Sequence, residues 1–317
     1  MHAAAGAPPI PRRVLGFLVA EAVSAIGSWA TAVVVWGYAA YKFDATAGDI
    51  ALFGIAFTVP GVLLGPVSGA VIDRIGTKAT LAWAKVLGVL AALSLLLADD
   101  FRTMALLCAL HGVAGAFSLP ALQAMPPRLV DSANLARTNA LVSLTDELAI
   151  IVGPAVAGLS IGLVGFKGAF IIDAATYAIG LLVLPMVTLH DPVTDAETAA
   201  EAGPAAASVD DPPVRLRDAF EGWRLVFRTP MLRRVVSCTA AVHLLYGAAL
   251  LAEPLYVRDT LERSEGVFAA LQTVFGIFLV AGGLLAARAG ERMASFRWVA
   301  VGVGASGVTA IVYLGTP

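Results

Sequence analysis

Gly65-Pro66-Val67-Ser68-Gly69-Ala70-Val71-Ile72-Asp73-Arg74-Ile75-Gly76-Thr77-Lys78 is a short charged corner between two runs too apolar for a water-soluble fold. Upstream, residues 50–72 form 23 consecutive positions without a charge; downstream, residues 79–98 carry one, Lys85. Each run reaches the length of about 20 helical residues needed to cross roughly 30 Å of hydrocarbon. The corner between them is therefore expected at a membrane surface.

Composition agrees. Apolar residues make up 59% of the chain and charged residues 14%, with a mean hydropathy of +0.84, far from the roughly 25% charged content of soluble domains. The net charge of −2 says nothing about partners, because in a membrane chain the placement of charge matters and the sum does not. Cys108 and Cys238 each sit inside an apolar run and read as packing residues rather than a disulfide or metal framework. The first apolar run is too long for a signal-peptide core and lacks a cleavage site, so it reads as a retained first span.

Working outward, nine candidate spans emerge. They cover about residues 14–41 with Glu21 inside, 50–72, 79–98, 103–127, 140–166 with Asp146 and Glu147 near its start, 168–189 with Asp173, 235–252, 266–287, and 298 to the end. Helices satisfy their own backbone groups in lipid and open strands do not, so the expected fold is all-α and polytopic. With a cytoplasmic N-terminus, the inside segments hold fifteen Lys and Arg against five outside, Lys85 being intramembrane; the positive-inside bias selects that orientation.

The long connector divides in two. Residues 191–213 hold six acids and no Lys or Arg, the composition of a disordered acidic cytoplasmic linker. In 214–230, Leu216, Phe220, Trp223 and Phe227 recur at three- and four-residue steps with Arg217, Arg224 and Arg228 between them. That pattern predicts an amphipathic helix along the cytoplasmic membrane face, with an ordinary surface helix as the alternative. A shift of 214 residues then lays Gly69, Arg74, Gly76 and Lys78 on Gly283, Arg288, Gly290 and Arg292, with Ala287 where Asp73 would be. The chain thus reads as an N-terminal six-span bundle, 1–190, followed by a partial copy, 231–317, holding spans seven to nine. Three more spans would complete the copy, which suggests a reading frame that ends early, or else a natural nine-span form.

Gly69-x-x-x-Asp73-Arg74-x-Gly76-x-Lys78 between spans two and three resembles the signature loop of the major facilitator superfamily. Ser24-Ala25-Ile26-Gly27 and Leu135-Ala136-Arg137-Thr138-Asn139-Ala140 resemble its bacterial exporter branch of siderophore and macrolide efflux proteins. Gly153-Pro154-Ala155-Val156-Ala157-Gly158 is similar to the antiporter motif, with Ala157 in place of a second glycine. The resemblance implies a two-bundle permease that alternates access to a central cavity, commonly by proton antiport.

The residues carry their own physics. Gly65 and Gly69, one turn apart, give helix two a groove without side chains. Asp73 beside Arg74, with Gly76 and Lys78, can hold a contact in one conformation and release it in the other. Gly153, Pro154 and Gly158 let span five bend and pack closely. Intramembrane ionisable residues are expensive unless they face a cavity or a partner, so the cavity candidates are Glu21 with Ser24, Ser28 and Thr31 on its face, Asp146, Glu147 and Asp173 near span ends, and His243 with Tyr246 in span seven. Lys85 is expected to pair with Asp146, Glu147 or Asp173. No catalytic, metal, cofactor or nucleic-acid motif is found. The expected function is export of a small amphipathic molecule such as a drug or siderophore, with Glu21 as the proton or substrate carboxylate, by a monomer in the cytoplasmic membrane. The alternative is a non-transporting permease that acts as a membrane interaction partner or needs a complementing chain.

Overall fold

The structure, a computed structural model, describes residues 9–189 and 227–289, with part of 301–311. The predicted linker, most of the predicted interfacial helix, and Gly290 and Arg292 of the repeated corner lie outside the described residues, as do the side chains of His243, Tyr246 and Arg288.

Helix α1, Arg12–Lys42, follows Pro11 and ends in the turn carrying Asp44. Helix α2, Ala47–Ile75, opens on a capping box in which the Thr46 hydroxyl accepts from the Asp49 amide while the Asp49 carboxylate accepts from the Thr46 amide. It stops at Gly76, whose φ of 86° lies where a side chain is strained, and α3, Thr77–Ser94, starts at once. The charged corner is thus two helix ends joined through one glycine. Helix α4, Phe101–Gln123, is capped by Asp100, and the short α5, Pro126–Leu129, leads to α6, Ser132–Val183.

At 52 residues an unbroken α6 would run to about 78 Å, far beyond a hydrocarbon core of about 30 Å. It breaks at Gly165, with φ 71° and ψ 177°, giving limbs 132–164 and 166–183. These correspond to the fifth and sixth expected spans. Helix α7, Pro230–Leu255, ends in the π-turn Tyr256–Thr260, and α8 covers Glu265–Ala289.

Residues 1–191 and 251–317 cluster into one compact unit and 192–250 into a second. In the second, the described part is helical from Pro230. In the first, α1 packs along α6, α2 on α4, α3 on α4 and α6, and α8 on α6. Phe17 on α1, Leu81 on α3, Met125 and Leu184 close an apolar cluster near the start of α1.

Polarity in this unit is inverted. Glu21, Lys85, His111 and Asp173 are all buried, whereas Leu163 is 81% exposed and Phe278, Val62 and Leu106 more than 70%. Water would reverse that arrangement; lipid tails are as apolar as leucine and accept it. Among the described residues, six helices, Ser132–Met186 counted as one, are long and apolar enough to span a bilayer. The chain is a multi-pass, all-α membrane protein.

Candidate transport site

The centre of the unit is built around α1. Glu21 Oε2 lies 2.7 Å from Lys85 Nζ on α3, both side chains 3% exposed or less. Lys85 also donates to Ser24 Oγ at 3.0 Å and lies 5.4 Å above the Tyr177 ring from the second limb of α6. Ser28 meets the Tyr177 hydroxyl at 2.9 Å. Lys85 was expected to pair with Asp146, Glu147 or Asp173, and its partner is Glu21 instead. The α1 stripe faces α3, and Gly180 leaves room there: a methyl group at Gly180 would lie 3.3 Å from Lys85 Cε and 3.4 Å from Glu21 Oε1.

A second buried carboxylate sits on the same stripe. Asp173 Oδ2 accepts from Thr31 Oγ1 at 2.8 Å and lies 3.9 Å from His111 Nε2 on α4. Expected near a span end, Asp173 is in fact 1% exposed, because α1 continues past it to Lys42 and α4 covers it with His111. Gly27 makes this approach possible, since a Cβ there would run into Thr176 and Asp173.

Beside the Glu21–Lys85 pair is a cavity of about 610 Å³, which Asp173 itself does not line. Glu21, Ser24, Ser28, Lys85, His111, Tyr177 and Asp146 line it together with Trp29, Trp36 and Phe57. Glu147 does not line it; one position on from Asp146, it points elsewhere and is exposed. Glu21 Oε1 and both ring nitrogens of His111 are buried without a hydrogen-bond partner among the described residues. Buried polar atoms are normally paired, so this cavity keeps unusual capacity for a guest.

The signature corner is placed differently from residue to residue. Gly65 and Gly69 face open space, and Asp73 and Arg74 are exposed without an ion pair among the described residues. Lys78 donates to Val187 O at 2.6 Å and Pro185 O at 3.5 Å, clasping the carbonyls that end the sixth span. The antiporter-like segment is fully packed. Gly153 abuts Trp29 and Ala30 of α1, and Gly158 abuts the Ala269 carbonyl and Thr273 of α8, where Gly276 in turn meets Ala155.

The far end of α1 is latched. Arg258, in the π-turn, donates to the carbonyls of Ala40 and Ala45 and to both carboxylate oxygens of Asp259, while Lys42 pairs with Glu265 at 2.9 Å. The Arg258 hydrogen bond holds the Asp259 carboxyl below its usual range. A lowered value means the contact persists above it and is lost only as pH falls through it, so mild acid should leave this latch closed. In a background lacking Cys108 and Cys238, Ala45→Cys is expected to label slowly with an impermeant maleimide, equally at about pH 7 and pH 5, which bracket no titration of a lowered aspartate. Adding Arg258→Gln should raise the rate severalfold; an unchanged rate would show that the latch holds nothing closed.

Sequence reasoning missed His111, Tyr177 and Arg258 as site residues. A lone histidine inside the fourth apolar run was the available signal for the first.

The profile of the Major Facilitator Superfamily matches residues 17–317. Among curated proteins, an uncharacterized MFS-type transporter, YfiS of Bacillus subtilis (strain 168), is 23% identical over 219 residues, covering 69% of this chain and 50% of that protein. The multidrug efflux pump Tap of Mycolicibacterium fortuitum is 24% identical over 211 residues, covering 63% of this chain and 49% of that protein. The chain spans about half the length of these relatives. Among solved structures, a bacterial homologue of the human lysosomal transporter Spinster, inward-facing and unoccupied, superposes with a TM-score of 0.60 at 15% identity, covering 90% of this chain and 64% of that one. The nucleoside transporter NupG gives 0.60 at 16%, covering 90% and 68%. At such identities the likeness shows the fold.

Proposed function

The chain belongs to the Major Facilitator Superfamily, and we propose that it is a secondary active transporter that exports a small amphipathic molecule from the cytoplasm by proton antiport. The observation that carries this reading is the cavity of about 610 Å³, with aromatic walls and a buried Glu21–Lys85 pair whose Oε1 is unpartnered. Ligand sites are concave and mostly apolar with a few convergent polar groups, and an intramembrane charge marks a pathway or a relay. Glu21 is the carboxylate proposed to answer the cargo or the proton. Export, rather than uptake, is supported by the likeness to the multidrug efflux pump Tap.

The two ends of the unit differ, which suits alternation. The end of α1 is closed by Arg258, whereas Asp73 and Arg74 are free of partners among the described residues. In this reading the corner of Gly65, Gly69, Asp73, Arg74 and Gly76 is the cytoplasmic gate in its released state, and Lys78 fixes it to the sixth span. The seam of Gly153, Pro154 and Gly158 against α1 and α8 is the surface on which helices shift. The cytoplasmic N-terminus follows the charge bias; the cytoplasmic membrane and the monomeric state follow the family likeness, and all three belong to the same proposal.

The test uses the full chain in proteoliposomes with ethidium as probe and an imposed pH gradient. Ethidium should accumulate against its gradient, and a protonophore should abolish the accumulation. Binding of ethidium without any gradient-driven movement would favour the non-transporting membrane partner.

A further inference from the structure

Glu21 is already engaged by Lys85, so a coupling proton needs another seat. We infer that His111 and Asp173 form a separate one-proton centre at the cavity wall, whose charge sets the attraction of the cavity for a cationic cargo. Its role in transport rests on the export reading above; its proton chemistry does not.

His111 is 5% exposed and neither ring nitrogen has a partner among the described residues. Its ring is fixed edge-on by Phe57 at 5.4 Å and Tyr177 at 5.8 Å. A buried imidazole with both nitrogens unsatisfied is unfavourable, unless one nitrogen waits for a proton and a neighbour. The neighbour is Asp173 Oδ2, 3.9 Å from Nε2 and otherwise held by Thr31. A proton on Nε2 turns this gap into a charge-assisted hydrogen bond of about 2.8 Å, drawing α4 about 1 Å toward the second limb of α6. Helix α2 follows, because the Phe57 carbonyl rests where Gly112 of α4 has no side chain.

The charges around the centre give the proton its antiport logic. Glu21 on α1 and Lys85 on α3 cancel each other, α2 brings no charged residue to the cavity, and Asp146 on the first limb of α6 lines it. Without a proton the centre is an aspartate beside a neutral imidazole, and the pocket gains one negative charge that attracts a cation. With the proton the pair is neutral and that attraction is gone. Proton and cationic cargo therefore compete for one charge, with no covalent step.

The decisive measurement is ¹⁵N NMR of the histidine-labelled full chain in micelles, with His2, His190 and His243 replaced by Gln so that His111 is the sole histidine. On acidification from about pH 8 to about pH 3, a range wide enough for a buried histidine, His111 should take up one proton, and Asp173→Asn should remove that uptake. A His111 that stays neutral throughout, or that titrates identically in Asp173→Asn, overturns the inference. His111→Gln guards against a misfolded Asp173→Asn: it should keep the helical circular dichroism of the parent chain while losing pH-driven ethidium accumulation. Retained accumulation in His111→Gln would equally overturn it. If no version moves ethidium, the export reading fails, and the NMR titration alone still decides this one.

Discussion

Lys85→Met alone is expected to destabilise the folded chain by about 3–5 kcal/mol, because it leaves the Glu21 carboxylate buried and unpaired. Both side chains are almost wholly buried, 2.7 Å apart, with Ser24 as the further polar partner of Lys85. Glu21→Gln should be strongly destabilising too, because it leaves Lys85 buried without its counter-charge. The double variant Glu21→Gln/Lys85→Met removes both charges and keeps similar volumes, so it should recover most of the loss, as buried pairs replaced together often do. Thermal unfolding in micelles, followed by helical circular dichroism, reads the cycle. Transport reads something else. The double variant should be folded yet impaired in driving ethidium against a gradient, since the cavity then lacks the Glu21 carboxylate proposed to answer the cargo. If it pumps normally, the pair is a structural filler and the transport site lies elsewhere; if the single variants are as stable as the parent, the pair is not formed.

The same residues show how far a chain of this kind can be read before it is seen folded. The corner at Gly76 was legible because two uncharged runs and one glycine leave few ways to cross lipid, and the break lies there with φ at 86°. Glu21 was legible as a site because a carboxylate in an apolar run must face a cavity or a partner. Its partner was not. Lys85 is 64 positions away, and only the rotation of α3 against α1 decides which of four carboxylates it meets. The burial of Asp173 was not legible for a related reason. Counting along one run gives depth from that run's end, whereas burial depends on how far the neighbouring helices extend, and α1 reaches Lys42. Arg258 escaped notice because a lone arginine in a loop between spans resembles a topology anchor; its grip on the carbonyls of Ala40 and Ala45 exists only when the π-turn is folded.

The second large effect is expected at Gly158. Gly158→Leu should be among the most damaging single changes to the chain, while Gly162→Leu, one turn further along the same helix, should be nearly silent. The two substitutions alter helix propensity alike, by about 1 kcal/mol in favour of Leu, so that contribution cancels in their difference. What remains is space. A Cβ at Gly162 meets nothing within 4 Å, whereas one at Gly158 would lie 2.7 Å from Thr273 N and closer still to the Ala269 carbonyl. Those are backbone atoms of α8, which cannot swing aside as a side chain would. Across the same seam a Cβ at Gly276 would lie 2.5 Å from Ala155 N, so α8 cannot retreat without opening the seam along its length. Overpacking a well-fitted contact costs about 1–3 kcal/mol and occasionally more, and a contact closed by backbone on both sides belongs at the upper end. Midpoints of thermal unfolding for the two variants, measured side by side, should therefore fall well apart, with only Gly158→Leu losing ethidium transport. Equal midpoints would mean that α6 and α8 are not in contact in the membrane, and the seam proposed as the sliding surface would go with them.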